Sequence, residues 1–320
     1  MEGFVRITLN GLLLEKEFFM KEIKRKGFSK DSLVVFFMLA PALLLLTVVS
    51  IYPFIWIFQY IPYDYNGFTK YFVGLDNIKR VFSDTLYWKS VLHTFEYAAM
   101  KLVVIMPLSL ITAVLLNQKL KASALFRGIF FLPTVISSAV YCLIFYFIFA
   151  AYNGVLNGML KYAGIIKSPI DWLGDPSTAM ISVVIVAIWG GFGNYMILFS
   201  SGLTSISDDV YESAKIDGAN GVQTFFRITL PLLGPVLKVV LMLAITTALK
   251  DYQSIMVLTG GGPNNRTQVM FLYIYQLCFG NGSTSLQIGY GAVLSIVSAF
   301  IVGVITLVYL KVSKKLDDVY

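Results

Sequence analysis

Six apolar stretches, separated by shorter polar connections, dominate the pattern of the chain. They run over about 32–59, 91–117, 124–151, 177–202, 234–258 and 288–312. A helix needs about 20 predominantly apolar residues to cross the hydrocarbon core of a bilayer, and each stretch is long enough. The pattern therefore predicts an all-α integral membrane protein with six transmembrane helices, and we treat 32–312 as one transmembrane domain.

The composition agrees with a lipid-embedded chain. Of the 320 residues, 57% are hydrophobic and 13% are charged, whereas soluble domains carry about 25% charged residues. The net charge of +7 does not indicate a nucleic-acid partner, because the basic residues gather at the ends of apolar stretches, where lipid head groups and topology account for them.

The distribution of Lys and Arg predicts the orientation. These residues are concentrated in residues 1–31, in the 118–127 turn, in the 203–233 loop and in the 313–320 tail. Because cytoplasmic connections carry the excess of basic residues, we expect these four segments, and so both termini, to lie in the cytoplasm.

The first thirty residues mix apolar and charged positions. Ile7, Phe18, Phe19 and Ile23 alternate with charges, which favours a helix lying in the inner membrane interface. An unstructured basic tail is the alternative.

The 203–233 loop contains the polar stretch "YESAKIDGANGVQTFFRITLP" at 211–231. Ser207 or Asp208 can cap a helix, and Val210, Ala214 and Gly218 are spaced four residues apart. This spacing predicts a helix–turn–helix with a small, flat face turned outward. Gly218 can end the first helix or allow a close backbone approach. An ordinary capped loop is the alternative.

Motifs in the chain resemble those of a transporter family. Glu212-Ser213-Ala214, with Gly218, Ile228 and Leu230-Pro231 at the matching spacings, resembles the EAA loop of ATP-binding-cassette (ABC) importer permeases of type I. "LTGGGPNNRT" (258–267), "FRGIFFLPTVIS" (126–137) and "DWLGDP" (171–176) are similar to the maltose-type, binding-protein-dependent carbohydrate-uptake branch. Ser213 and His93 depart from the family, which usually has Ala and Asn at these positions.

This resemblance implies an assembly in the bacterial plasma (inner) membrane. Its expected partners are a second, different permease subunit, two ATPase subunits that hold ATP and Mg, an extracytoplasmic solute-binding protein, and a sugar, most simply an oligosaccharide. Glycerol phosphates are the alternative substrate. The chain has no G-x-x-x-x-G-K-[ST] motif, so we expect it to bind no cofactor and to be a non-catalytic subunit. The coupling helix, which docks on the ATPase in the family, would comprise Glu212, Ser213, Ala214, Asp217, Gly218 and Ala219.

The resemblance also suggests residues along the substrate pathway. Aligned on "TGGGP", Thr247 and Asp251 match sugar-contacting positions, and Gly190, Gly191 and Asn194 match pathway-lining positions. Simple helix rise puts Asn194 in the inner half of the membrane and Asp251 in the outer half, so we expect a route and not one pocket. Helix packing by the glycines, with Asn194 as a polar link, is the alternative.

An ion- or proton-coupled secondary transporter is the competing function. Glu96 and Lys101, ionisable residues inside the second span, favour it. It would also favour broken helices near the midplane, and the apolar pattern predicts none. A channel is disfavoured because "GYG" (289–291) has no preceding pore helix. No nucleophile–base pairing in the sequence indicates an enzyme.

Overall fold

The computed structural model describes residues 30–118, 122–280 and 285–317. The predicted interfacial helix in residues 1–29 and the end of the tail lie outside the described residues. The chain divides into two compact units, Met1–Gln59 and Tyr60–Tyr320. The described part of the first unit is helical: α1 (Lys30–Leu46), a π-helical turn (Thr47–Ile51), α2 (Tyr52–Trp56) and the start of a 3-10 turn (Ile57–Tyr60).

The second unit begins with a two-stranded hairpin and is otherwise helical in its described part. Its elements are β1 (Tyr63–Tyr65), β2 (Lys70–Phe72), α3 (Asp76–Ser83), α4 (Thr85–Asn117), α5 (Ser123–Val135), α6 (Ser138–Ile148), α7 (Val155–Tyr162), α8 (Ala179–Thr204), α9 (Asp208–Ile216), α10 (Gly221–Thr224), α11 (Leu230–Leu232), α12 (Gly234–Lys250), α13 (Gln253–Leu258), α14 (Met270–Phe279) and α15 (Ile288–Asp317). A π-helical turn, Phe225–Thr229, joins α10 to α11.

The prediction of an all-α membrane protein is confirmed. Among the described residues, four helices are long and apolar enough to span a membrane: Leu33–Tyr60, Thr85–Asn117, Ala179–Thr204 and Ile288–Lys314. Two bent helix pairs, α5 with α6 and the Gly221–Leu232 segment with α12, bring the number to six if each pair is one span. The expectation that no span is broken was wrong.

The third predicted span, 124–151, is divided by a bend of 94° between α5 and α6. Ile136 and Ser137 are extended, each with ψ of 135°. Pro133 has no N–H to donate to the carbonyl of Ile129, and Ser137 takes an N-cap position, which Ser favours. These local preferences override the apolar pattern, which cannot distinguish one long helix from two short ones.

The fifth predicted span, 234–258, is also divided. Helix α12 ends at Lys250, Asp251 is extended, and α13 starts at Gln253. A bend of 73° precedes α12, because Pro235 cannot donate a hydrogen bond to the carbonyl of Pro231.

Helix α4 starts six residues before the predicted position 91, at Thr85. Asp84 caps it, accepting a hydrogen bond from the Tyr87 backbone N–H at 2.9 Å. The same carboxylate accepts the hydroxyls of Tyr273 at 3.0 Å and Tyr290 at 2.7 Å. Burial, with Asp84 beside it, raises the pKa of Tyr273 to about 12, so this phenol stays a donor. Asp84 thus joins α4 to α14 and α15.

The hairpin was not predicted. Asn66 and Gly67 make its turn: the Asn66 side chain accepts from the N–H groups of Phe68 and Thr69, and Gly67 has φ of +93°. Asn and Gly are common turn residues, so the sequence did contain a signal for a turn here.

The core of the second unit lies along α4 and α8, which pack against each other. Tyr97 and Ile105 from α4 and Val183, Met196 and Phe199 from α8 are fully buried. Helix α5 crosses α8 at Gly193, where an added Cβ would lie 2.2 Å from the Phe130 carbonyl oxygen. A small residue lets the two backbones approach this closely.

We expect Gly193→Ala to destabilise the fold by about 1–3 kcal/mol, because the new methyl group meets backbone that cannot move aside by a rotamer change. The measurement is the thermal unfolding midpoint of the detergent-solubilised protein. Gly191→Ala is the matched control, since its Cβ would meet only the Ile105 side chain at 3.5 Å. Equal midpoints for the two variants would contradict the close crossing of α5 and α8.

Candidate functional site

The coupling loop forms the predicted helix–turn–helix. Ser207 caps α9, its hydroxyl accepting from the Asp209 N–H at 3.3 Å. Gly218, with φ of +77°, ends the helix. The Ala219 N–H donates to the Ala214 carbonyl at 3.0 Å and the Gly218 N–H to that of Lys215 at 3.1 Å. These two bonds form a Schellman motif, so Gly218 terminates the helix.

The face that α9 presents differs from the one predicted. Ala214 is only 4% exposed, so the expectation that the small-residue face points outward was wrong at this position. Burying Ala214 against the fold turns Glu212, Ser213, Asp217 and Gly218 to the exposed side, and Ala219 is half-buried. Ile216 is 86% exposed, and its place on the exposed face was not predicted from the sequence. Its spacing of four residues from Glu212 could have indicated a shared face.

All five predicted pathway residues line one cavity of about 790 Å³. From the sequence, Asn194 and Asp251 were expected at different depths, along a route without one pocket. The wall is formed from α4, α5, α6, α8, α12 and α13, and its lining residues are Lys101, Phe131, Thr134, Ile136, Ser138, Tyr141, Ala187, Gly190, Gly191, Asn194, Tyr195, Thr246, Thr247, Lys250, Asp251, Tyr252, Gln253 and Ser254.

The two helix breaks supply parts of the cavity wall. The α5–α6 break supplies Ile136 and Ser138 to the wall, and the α12–α13 break supplies Asp251 and Gln253. The Ser138 hydroxyl donates to the Gln253 side-chain oxygen at 2.9 Å, so one break is bonded to the other.

Asp251 is held in a nearly buried polar network. Its carboxylate accepts from the Lys101 ammonium at 2.9 Å and from the Tyr97 hydroxyl at 2.5 Å, and the Ser254 hydroxyl donates to it at 3.1 Å. The Lys101 and Asp251 side chains are 8% and 14% exposed. Burying a charged side chain costs free energy unless the charge is paired and hydrogen-bonded. Lys101 and Asp251 each provide the opposite charge for the other.

This network gives Asp251 a structural role that the sequence did not predict. Asp251 fastens the α12–α13 break to α4. Lys101 was noted from the sequence as an ionisable residue within a span. Its pairing with Asp251 was not predicted, because no spacing rule links positions 150 residues apart. Tyr97 was missed altogether. Contact between Asp251 and a substrate stays a prediction.

The other ionisable residue within the second span is also paired. The Glu96 carboxylate accepts hydrogen bonds from the two terminal guanidinium nitrogens of Arg266, from Nη2 at 2.7 Å and from Nη1 at 2.8 Å. Arg266 belongs to the "LTGGGPNNRT" segment, and the His93 Nδ1 lies 3.3 Å from the Gln268 carbonyl in the same region. Glu96 and Lys101, the residues that favoured an ion-coupled carrier, therefore serve to attach the 251–270 segment to α4.

The remaining pathway residues differ in what they offer the cavity. A Cβ on Gly190 would lie 2.5 Å from the Tyr141 ring, so Tyr141 occupies the space beside this glycine. Asn194 is exposed, and its side chain has no hydrogen-bond partner within the described part of the chain. The Thr247 hydroxyl donates to the Leu243 carbonyl at 2.6 Å, which leaves its oxygen able to accept a bond.

The family comparison agrees with the resemblance. The family described as "Binding-protein-dependent transport system inner membrane component" matches residues 105–317. The chain belongs to this family. Relatives of this permease-family chain include the probable ABC transporter permease protein YurN of Bacillus subtilis, 33% identical over 290 residues, which cover 89% of this chain and 98% of YurN. The trehalose/maltose transport system permease protein MalF of Thermococcus litoralis is 37% identical over 77% of this chain and 81% of its own length.

A solved structure shares the fold. It is the crystal structure of a bacterial ABC transporter involved in the import of the acidic polysaccharide alginate, with a TM-score of 0.77 and 23% identity over 93% of this chain and 98% of that one. At this identity the similarity establishes the fold of this permease-family chain and nothing about its substrate.

We expect Lys101→Met to destabilise the protein by about 3–5 kcal/mol, because it leaves the Asp251 carboxylate buried without its counter-charge. The measurement is the unfolding midpoint of the purified protein. The double variant Lys101→Met/Asp251→Asn should recover most of the loss, since the neutral amide can still bond Tyr97 and Ser254. If Lys101→Met unfolds at the wild-type temperature, the ion pair does not hold the helix break.

Proposed function

We propose that this chain is one transmembrane subunit of an ATP-driven importer that carries a sugar, most simply an oligosaccharide, by alternating access. The observation that carries the proposal is the single cavity in which Gly190, Gly191, Asn194, Thr247 and Asp251 meet. Its volume of about 790 Å³ falls in the range of about 300–1,000 Å³ that ligand pockets occupy.

The lining suits a polyhydroxylated molecule. Asn194 supplies both a donor and an acceptor, and Thr246 and Thr247 supply hydroxyl oxygens. Tyr141 and Tyr195 add aromatic surface. The names of relatives point to the same substrate class: a lactose transport system permease protein, LacF, from Rhizobium radiobacter, and an arabinooligosaccharides transport system permease protein, AraP, from Bacillus subtilis.

The proposed assembly adds the partners that this chain lacks. A second, related permease would complete the pathway, two ATPase subunits would bind ATP and Mg, and an extracytoplasmic binding protein would deliver the sugar in a bacterial plasma membrane. Glu212, exposed on α9 without a bonding partner among the described residues, is suited to meet a basic residue of an ATPase. Both termini would lie with α9 on the cytoplasmic side.

The bends suggest how motion at the coupling loop reaches the cavity. The α9–α11 segment leads into the 73° bend before α12, and α12 ends at Lys250, next to Asp251 in the cavity wall. Closure of the ATPases would move α9, and α12 would transmit that displacement as a rigid rod. Because Asp251 and Gln253 connect α12 and α13 to α4 and α6, the cavity walls would shift together.

We expect Glu212→Lys to abolish co-purification of an ATP-hydrolysing subunit with this protein, while the membrane level of the protein stays normal. The reversed charge changes the docking surface and no contact of the fold. The measurement is a pull-down from gently solubilised membranes, followed by an ATPase assay.

Asp64→Lys is the matched control, because it makes the same charge change at an exposed position in the hairpin, away from α9. It should retain the ATPase. If neither the wild type nor the control recovers an ATPase, the importer assignment fails and the ion-coupled carrier becomes the better account.

A further inference from the structure

Three aromatic rings follow one another from the cavity wall toward the end of α14. The Tyr252 ring stacks on that of Tyr275, with centroids 5.5 Å apart and an angle of 29° between planes. The Tyr275 ring packs on that of Phe279 at 4.9 Å and 33°. We call Tyr252, Tyr275 and Phe279 the aromatic ladder.

The ladder connects the cavity to the exposed surface. Tyr252 lies at the α12–α13 break and lines the cavity. Tyr275 and Phe279 are four residues apart on α14 and so share one helix face. Phe279 is the last residue of α14 and its side chain is 72% exposed. Tyr252 therefore places one end of the ladder in the cavity wall, and Phe279 places the other end at the exposed surface.

The two tyrosines of the ladder differ from the structural tyrosines nearby. The hydroxyls of Tyr97, Tyr273 and Tyr290 each bond a carboxylate. The hydroxyls of Tyr252 and Tyr275 have no hydrogen-bond partner among the described residues. A tyrosine that packs only for stability usually finds a partner for its hydroxyl when buried, and these half-buried phenols leave theirs free.

We propose that the aromatic ladder is a binding track that guides the pyranose rings of an oligosaccharide into the cavity. The inference rests on the proposed function and adds an entry site to it. The C–H faces of pyranose rings are apolar and pack on aromatic faces, while their hydroxyls need polar partners. The ring faces that meet within the ladder cover one another, so the sugar would pack on the exposed surface of Phe279 and on the cavity side of Tyr252. The two free phenol hydroxyls would supply polar contacts between these two rings. Gln253, next to Tyr252 and on the cavity wall, continues the polar contacts inward.

The ladder predicts a dependence on substrate length. A long oligosaccharide would occupy the ladder and the cavity at once, whereas a disaccharide bound in the cavity would be too short to contact the ladder as well. We therefore expect Phe279→Ala and Tyr275→Ala to slow uptake of a pentasaccharide by about threefold to tenfold and uptake of the disaccharide of the same series by less. Tyr275→Phe should lose less than Tyr275→Ala because it keeps the ring.

The experiment uses the full transporter complex in proteoliposomes, with its binding protein at saturation, and malto- and xylo-oligosaccharides of two and five units, all built of pyranose rings, as probes. Initial uptake rates and ATP hydrolysis are measured together. Phe300→Ala is the matched control: it removes a Phe that is also 72% exposed but lies on α15, off the ladder.

Each result decides the inference. A length-dependent loss in the ladder variants, with a normal Phe300→Ala, supports the track. Equal losses for both sugar lengths, or the same loss in Phe300→Ala, would mean that Phe279 faces lipid or a partner subunit, and would overturn it while leaving the proposed function intact. If the wild type takes up none of the sugars, the proposed function fails and the track with it.

Discussion

The architecture of the cavity depends on one buried ion pair, between Lys101 and Asp251. Asp251 interrupts the fifth span, and its carboxylate bonds Lys101, Tyr97 and Ser254. An interrupted helix in an apolar environment leaves backbone groups and charge that must be satisfied within the protein. Attachment of the break to α4 meets that requirement and leaves Asp251 in the wall of the cavity. Replacement of the pair by apolar residues could keep the stability but not this placement.

The second break completes the cavity because it is bonded to the first. The Ser138–Gln253 hydrogen bond joins the start of α6 to the start of α13, while Glu96 and Arg266 fasten the following loop to α4. Side chains from six helices therefore line one space. A permease has to change shape during transport, and short helices joined at bonded breaks can move as separate rigid pieces where one continuous helix cannot.

The sequence predicted the features that depend on local pattern and missed those that depend on distant pairing. Apolar length predicted the membrane class, Ser207 and Gly218 predicted the ends of α9, and family motifs singled out residues that prove to lie in one cavity. The apolar pattern did not reveal the break at Ile136–Ser137, because the residues on both sides remain hydrophobic. The predicted fifth span also continued across the polar residues 250–253, where α12 ends and α13 begins. Nor could it pair Lys101 with Asp251. The burial of Ala214 depends on packing, which periodicity alone placed on the wrong side.

The central claim, that this cavity is the sugar pathway, is tested most directly by thiol protection. In a background of Cys142→Ala and Cys278→Ala, Asn194→Cys and Thr247→Cys would be labelled with a hydrophilic thiol reagent, with and without the transported sugar. The account predicts that the sugar slows labelling at both cavity positions and leaves Asp64→Cys, in the exposed hairpin, unaffected. Equal labelling rates at Asn194→Cys and Thr247→Cys with and without sugar would contradict it.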